Sequence, residues 1–375
     1  MRTGLESLRA TLRADRRQGR RRGFALLLAY LAAYVFLVCF RGWRYGFVPP
    51  GQAAGTLFTF FRIQFAKLLS LPLYARRGEL TAQLPYYAEV IARFRKGFMM
   101  SAAGGILSLS GLIYQSATRN AMAVPTMLGV SSGVNLARVI LVLRLGEAAY
   151  TLTRYHYYLC YGIPALALLV ILAGGRLAGG RRASVADMLI VGTVVNRLMQ
   201  MTVNYLRTAM DADTLEIFQE FSEKSYDLYD SFQNLGIICL IAAVVLLPIL
   251  FMRFRYNAIS FDDEDARTMG VRPSGLRIYG LAADAILTTT AMIFCGNAGM
   301  IALIVPHLCR YLFGSEFSRL MGASAVTGGL LMLVGYILSN FIRFADYVVP
   351  VGNIISLLAV PVLIWALLRQ RRGWE

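Results

Sequence analysis

Residues 104–133 read GGILSLSGLIYQSATRNAMAVPTMLGVSSG, and how that stretch is read decides the fold. It is apolar enough to enter a bilayer. Yet Gly104, Gly105, Ser108, Ser110 and Gly111 crowd its first half, and a polar turn at 118–120 interrupts it before Pro125. Lipid tails drive no hydrophobic association between spans, so membrane helices meet through small residues that let backbones approach. The stretch is therefore predicted to lie inside a helix bundle, away from lipid.

The rest of the chain agrees. Of 375 residues 57% are hydrophobic and only 16% charged, against about 25% charged in a soluble domain, so a polytopic membrane protein is predicted. The net charge of +17 would suggest nucleic acid on a soluble protein, but here the arginines sit at the ends of apolar runs. There they read as topology and lipid-headgroup signals. The five cysteines are scattered, with no paired spacing and no neighbouring His or Asp, so they read as small buried hydrophobes and no metal site is expected.

Crossing about 30 Å of hydrocarbon takes about 20 apolar residues. Ten spans meet that requirement, near 24–41, 97–116, 127–145, 157–174, 186–207, 234–252, 276–295, 297–312, 320–341 and 350–368. The boundary between the seventh and eighth rests only on Gly296, Asn297 and Gly299. Arginines at 13–22, 176–182, 253–255, 310–319 and 369–372 put both termini in the cytoplasm. The predicted organisation is a basic cytoplasmic segment (1–23), a membrane domain (24–369) with an extracytoplasmic connector (42–96), and a cytoplasmic tail (370–375). Residues 57–73 carry Arg62 and Lys67 and are predicted to form an interfacial helix, with an eleventh crossing as the alternative. The acidic loop 211–230 reads as a solvated helix or, at lower weight, a docking surface.

Two polar stripes stand out. In the fifth span Thr193, Asn196, Gln200, Asn204 and Arg207 recur at helical spacing, with Arg197 alongside. In the third, Ser131, Asn135 and Arg138 do the same, with Arg144 nearer the outer end. Such rows cost free energy unless they meet water, another helix or a substrate, so hydrogen bonding between helices and pore lining both account for them. Arg138 marks either a pathway or a buried ion pair, with Asp284 a candidate partner. His307 is assigned no chemistry, and His156 is expected at the outer surface.

Between the sixth and seventh spans, 260–271 reads SFDDEDARTMGV. Ser260 or Asp262 can cap a helix whose first turn holds Asp263, Glu264 and Asp265, and Gly270 can end it. A short rigid helix on the cytoplasmic side, within 257–272, suits mechanical coupling. No G-x-x-x-x-G-K-[ST] run occurs, so nucleotide hydrolysis is assigned to another polypeptide.

Gln115, Arg119, Asn120, Ala123, Pro125, Leu128, Gly129, Val130, Ser131, Ser132 and Gly133 stand in an order that resembles the permease subunits of ABC importers for iron-siderophores, haem and vitamin B12. Gly296, Gly299, Leu303, Ile304, Val305, Pro306 and His307 match a second pattern of that family. The resemblance covers roughly residue 93 to the C-terminus. It implies that the fifth span borders the central pathway, and so favours pore lining for Ser131, Asn135, Arg138, Thr193, Asn196, Arg197, Gln200 and Asn204. It implies a cytoplasmic gate at Asn120, Met122 and Ser184. It makes Asp263, Glu264, Ala266, Met269 and Gly270 a coupling helix seated in a groove of an ATPase subunit. Outside, Arg93, Lys96 and Arg343 occupy the positions that meet a substrate-binding protein.

The expectation is an all-α, polytopic membrane helix bundle of about ten transmembrane helices in a prokaryotic plasma membrane. It would act as an ABC importer permease that passes an iron chelate inward by alternating access, ferric siderophore before haem. Its partners would be a second permease subunit (homodimer or heterodimer), a cytoplasmic ATPase dimer, an extracytoplasmic binding protein and membrane lipid, with no nucleic acid. No cofactor is assigned to this chain; ATP and Mg belong to the ATPase. The competing function class is an ion-gradient-driven secondary transporter of an anionic small molecule, which would need midplane carboxylates, and Asp284 is one.

Overall fold

The computed structural model describes residues 2–39, 48–68, 78, 81, 84, 86–150, 153–179, 185–223, 225, 231–260, 263–344 and 347–372. Among them are fourteen helices: α1 (Arg2–Cys39), α2 (Pro50–Leu68), α3 (Tyr87–Thr118), α4 (Val130–Leu145), α5 (Thr153–Gly179), α6 (Val185–Thr208), α7 (Ala212–Glu223), α8 (Phe232–Phe251), α9 (Arg253–Ile259), α10 (Asp263–Thr268), α11 (Pro273–Cys295), α12 (Met300–Phe313), α13 (Phe317–Phe341) and α14 (Val351–Arg372). Two 3-10 turns, Pro125–Leu128 and Gly146–Tyr150, flank α4, and a two-residue hairpin (Arg343–Phe344 with Tyr347–Val348) joins α13 to α14. Ten of the helices, α1, α3–α6, α8 and α11–α14, coincide with the ten predicted spans. Six described helices are long and apolar enough to cross a membrane by length and composition, and α2 is not one of them.

The small-residue stretch is the centre of the bundle. α3 packs against α11, α12 and α13, and every residue from Ala103 to Thr118 is buried. At the crossing with α13 no room remains for side chains. A Cβ on Gly328 would lie 2.5 Å from the Gly104 carbonyl oxygen and 2.5 Å from Ser108 Cβ, and one on Gly329 2.9 Å from the Ser101 oxygen. Lower on α3, Gln115 is a clamp: its amide nitrogen donates to the carbonyls of Ala302 (3.4 Å) and Leu303 (3.5 Å), while Arg310 donates to its amide oxygen. Ser110 donates to Asp284 Oδ1 at 2.6 Å, and Thr288 donates to the same oxygen at 3.2 Å, tying α3 to α11. These hydroxyls, and not Arg138, are the hydrogen-bond partners of Asp284.

Two predicted spans are not full crossings. Cys295 Sγ lies 3.7 Å from the carbonyl of Met99, whereas Ala302 abuts Gly111, twelve residues further along α3 (111 − 99), or about 18 Å. The non-helical stretch 296–299 and the first residues of α12 cover that drop, and α12 itself has 14 residues, about 21 Å, too short for about 30 Å of hydrocarbon. Likewise a Cβ on Gly129 would lie 3.3 Å from Cα of Asn196, near the middle of α6, so α4 starts at mid-level and 125–128 re-enters the bundle. Non-helical backbone is tolerated at such depth where it is buried in protein or lines a cavity.

At the predicted outer end, α2 lies beside the last turn of α1 and the first turns of α3. Val48 and Ala53 pack with Val38, Cys39 and Val90, and Phe60 stacks on Phe232 at the start of α8. The basic N-terminal segment continues the helix of the first span, and Arg22 donates to the carbonyl of Leu312 at the end of α12. Four cysteines are buried as expected, but Cys239 is exposed on α8. His156, expected at the surface, is buried against Phe221 of α7 because α7 folds down over the start of α5.

Candidate translocation site

The broken starts of α4 and α12 leave a cavity of about 410 Å³. Ser131, Ser132 and Asn135 line it from α4, Gln200, Asn204 and Arg207 from α6, and Gln219, Ser222 and Glu223 from α7; Thr126 and Asn297 come from the two non-helical stretches. Sequence reasoning assigned α7 to a solvated helix or docking surface. It is a helix, but one face turns inward: Phe218 and Phe221 are buried, and the polar residues beside them face the cavity. That i, i+3 aromatic pair was the available signal.

The Ser131 hydroxyl and the Asn135 amide oxygen are buried in the cavity wall and find no hydrogen-bond partner among the described residues. Asn196 does not line the cavity. Its amide oxygen accepts from Ser132 at 2.6 Å and from Gln200 at 3.4 Å, which holds α6 against α4. Thr193 and Arg197 lie outside the cavity, exposed on α6, where Thr193 donates to its own helix and Arg197 to Gln200. On the same helix Ile190, Val194, Met201 and Tyr205 are 64%, 55%, 66% and 75% exposed, so α6 presents a mixed polar and apolar face to whatever adjoins it.

Arg138 is corrected from pathway residue to internal tie. It is fully buried; its guanidinium donates to Met292 O at 2.6 Å, Ser225 Oγ at 2.9 Å and Ser222 O at 3.4 Å. Those partners belong to α11, to the end of α7 and to Ser225 just beyond it, so the cation sits behind the cavity wall and fastens α7 to the bundle. One guanidinium can satisfy three acceptors that no apolar side chain could.

The short helix after α9 exists as predicted. Gly270 ends α10 in the left-handed region (φ 76), with Val271 N–H returning to Ala266 O at 2.9 Å and Gly270 N–H to Arg267 O at 2.9 Å, the paired bonds of a Schellman cap. Ser260 does not cap it, since its hydroxyl turns back to Tyr256 O; Asp262 lies outside the described residues. Glu264 and Met269 are exposed, but Ala266 is fully buried in the main core, so it anchors the helix and offers no surface to a partner. Asp263 is turned to one side, where Arg277 donates to both its oxygens at 2.6 and 3.2 Å and Arg119 approaches at 3.5 Å.

Residues 57–369 match the FecCD transport family. The chain belongs to that family. It is a multi-pass membrane permease. It is 29% identical over 279 residues to the hemin transport system permease protein HmuU of Yersinia pestis, covering 74% of this chain and 82% of that one. To the Fe(3+) dicitrate transport system permease protein FecD of Escherichia coli it is 24% identical over 294 residues, covering 76% and 86%. A solved structure assigned as a metal-chelate type ABC transporter in an inward-facing conformation has the same fold, with a TM-score of 0.72 at 18% identity over 92% of this chain and 98% of that one.

In this FecCD-family chain the residues predicted to dock a partner lie at the end of the bundle where α3 begins. Arg93 donates to Glu89 at 3.4 Å, one turn before it, and Lys96 is half-buried on the same helix. Arg343 begins the hairpin at that same end, where Phe36 of α1 stacks on Phe341. Of the predicted gate, Asn120 and Met122 are exposed in the turn after α3, and the Asn120 side chain accepts from Met122 N–H at 2.9 Å; Ser184 lies outside the described residues.

Proposed function

We propose that this chain is the membrane half of an ABC importer and passes an iron chelate inward. The observation that carries this is the polar cavity between α4, α6 and α7, lined by Ser131, Asn135, Gln200, Asn204 and Arg207. The exposed Thr193, Arg197 and Asn204 on α6 are costly against acyl chains. A second permease subunit facing α6 satisfies them and encloses the pathway. The relatives named for hemin and ferric dicitrate support an iron chelate as cargo. A separate ATPase pair contacts the exposed Glu264 and Met269, with Asp263 and Gly270 shaping the helix and Ala266 seating it. Asn120, Met122 and Ser184 form the inner gate. A binding protein meets Arg93, Lys96 and Arg343 outside, and both termini lie in the cytoplasm.

The test is reconstitution in proteoliposomes with an ABC ATPase pair and a substrate-binding protein from the same organism. Radio-iron uptake is measured from hemin, ferric citrate and a ferric hydroxamate. ATP-dependent uptake that falls when Asn204→Leu and Gln200→Leu narrow the cavity is expected. Uptake driven by an ion gradient without ATP would overturn the proposal.

A further inference from the structure

The turn after α3 and the short helix α10 are far apart in sequence, yet one carboxylate joins them. Arg277 on α11 grips Asp263 through both oxygens, at 2.6 and 3.2 Å, a fork-on-fork geometry that fixes the direction of the carboxylate. Arg119 Nη1 stands 3.5 Å from the same Oδ1. Arg119 is also a conformational outlier. Its φ of 53° is left-handed, a state seen in only one other described non-glycine residue, Tyr86. Glycine is the usual residue at such a helix end. A position where glycine would fit better, but which holds a long cation aimed at a fixed anion, points to a use for the cation.

The turn that Arg119 opens is internally braced. Asn120 N–H donates to Gln115 O at 3.2 Å, Met122 N–H to the Asn120 side chain at 2.9 Å, and Ala123 N–H to Asn120 O at 3.1 Å. It runs directly into the 3-10 turn, where Thr126 lines the cavity and Gly129 touches α6 at Asn196. A push on Arg119 therefore moves a stiff segment whose far end is the cavity wall.

We propose that Asp263 is a positioning residue that carries displacement of α10, through its pair with Arg119, to the 119–128 segment and the wall of the cavity. This rests on the coupling role proposed above for α10. Physical continuity alone does not establish coupling, so the test measures it.

The full complex in proteoliposomes is assayed with whichever of hemin, ferric citrate and ferric hydroxamate the wild type takes up fastest, and uptake per ATP hydrolysed is the readout. Arg119→Gly suits the left-handed backbone, so its thermal midpoint should equal or exceed that of the wild type while uptake per ATP falls about tenfold, within the range of ordinary coupling. Asp263→Asn should lower it similarly, and the double variant should be no worse than the more affected single one. Arg319→Ala, which breaks the exposed Arg319–Glu316 pair, should change nothing. Wild-type uptake per ATP in Arg119→Gly, or additive losses in the double variant, would overturn the relay. The coupling role of α10 is tested separately: the ATPase should fail to co-purify with Glu264→Arg/Met269→Arg. If it still co-purifies, the coupling role falls and the relay with it. If it is lost while Arg119→Gly transports normally, only the relay falls.

Discussion

Replacing Gly328 by alanine should cost this protein more than any conservative change elsewhere in α13, and the structure gives the size of the effect. The added Cβ would sit 2.5 Å from both the Gly104 oxygen and Ser108 Cβ, where ordinary contact begins at 3.4 Å. Gly104 O is backbone and cannot rotate away, so α3 and α13 must part by about 0.9 Å (3.4 − 2.5). Overpacking of this kind costs about 1–3 kcal/mol. A gap of 0.5–1 Å also forfeits a quarter to a half of each dispersion contact of about 0.1–0.2 kcal/mol, and on the order of twenty such contacts add roughly 1 kcal/mol more. The expected total of about 3 kcal/mol should lower the thermal midpoint by about 5 °C or more. The assay is thermal unfolding in detergent read by a thiol-reactive fluorophore. Cys39, Cys160, Cys295 and Cys309 are buried and report unfolding, and Cys239→Ser removes the exposed background. Gly236→Ala, with nothing within 4 Å of its added Cβ, is the control and should lose nothing. A Gly328→Ala midpoint indistinguishable from that control would refute the packing described for the centre of the bundle.

Two further outcomes follow from side chains outside that crossing. Arg138→Leu should abolish the folded protein or lower its midpoint beyond Gly328→Ala, because it strands the buried carbonyl of Met292 and frees the end of α7; folded yield by size exclusion and the same thiol assay would show it. Asp211, just before α7, accepts a side-chain hydrogen bond from Thr214, which holds its carboxyl below the usual aspartate value. A depressed folded-state pKa stabilises above the unfolded value and loses that contribution as pH falls, so the midpoint advantage of wild type over Asp211→Ala should be full above about pH 4 and fade below it.

The spans and the bundle interior were legible because each is a local property of the chain. Apolar length located ten of the helices, small residues at 104–111 identified α3 as the central helix, and Gly270 marked the end of α10. Depth was not legible. The runs 127–145 and 297–312 are apolar throughout, and nothing in their composition distinguishes a full crossing from one that starts midway. Side-chain direction on short or two-sided elements was equally hidden. Ala266 and Glu264 sit two residues apart on one six-residue helix, and only the packing of α10 against its neighbours buries the first and exposes the second.

By itself the sequence determined that this is a polytopic helical membrane protein built around a small-residue helix, with polar stripes on the third and fifth spans and a capped acidic helix between the sixth and seventh. Periodicity and composition act within one element, and those features need nothing more. Only the tertiary structure decided which polar groups share a cavity, that Arg138 is a tie and not a pathway residue, that α7 contributes to the wall, and that Asp263 meets Arg119 and Arg277. Each of these depends on groups brought together from distant segments, and a hydrogen bond or ion pair of 2.6–3.5 Å leaves no trace in the spacing of either partner along its own helix.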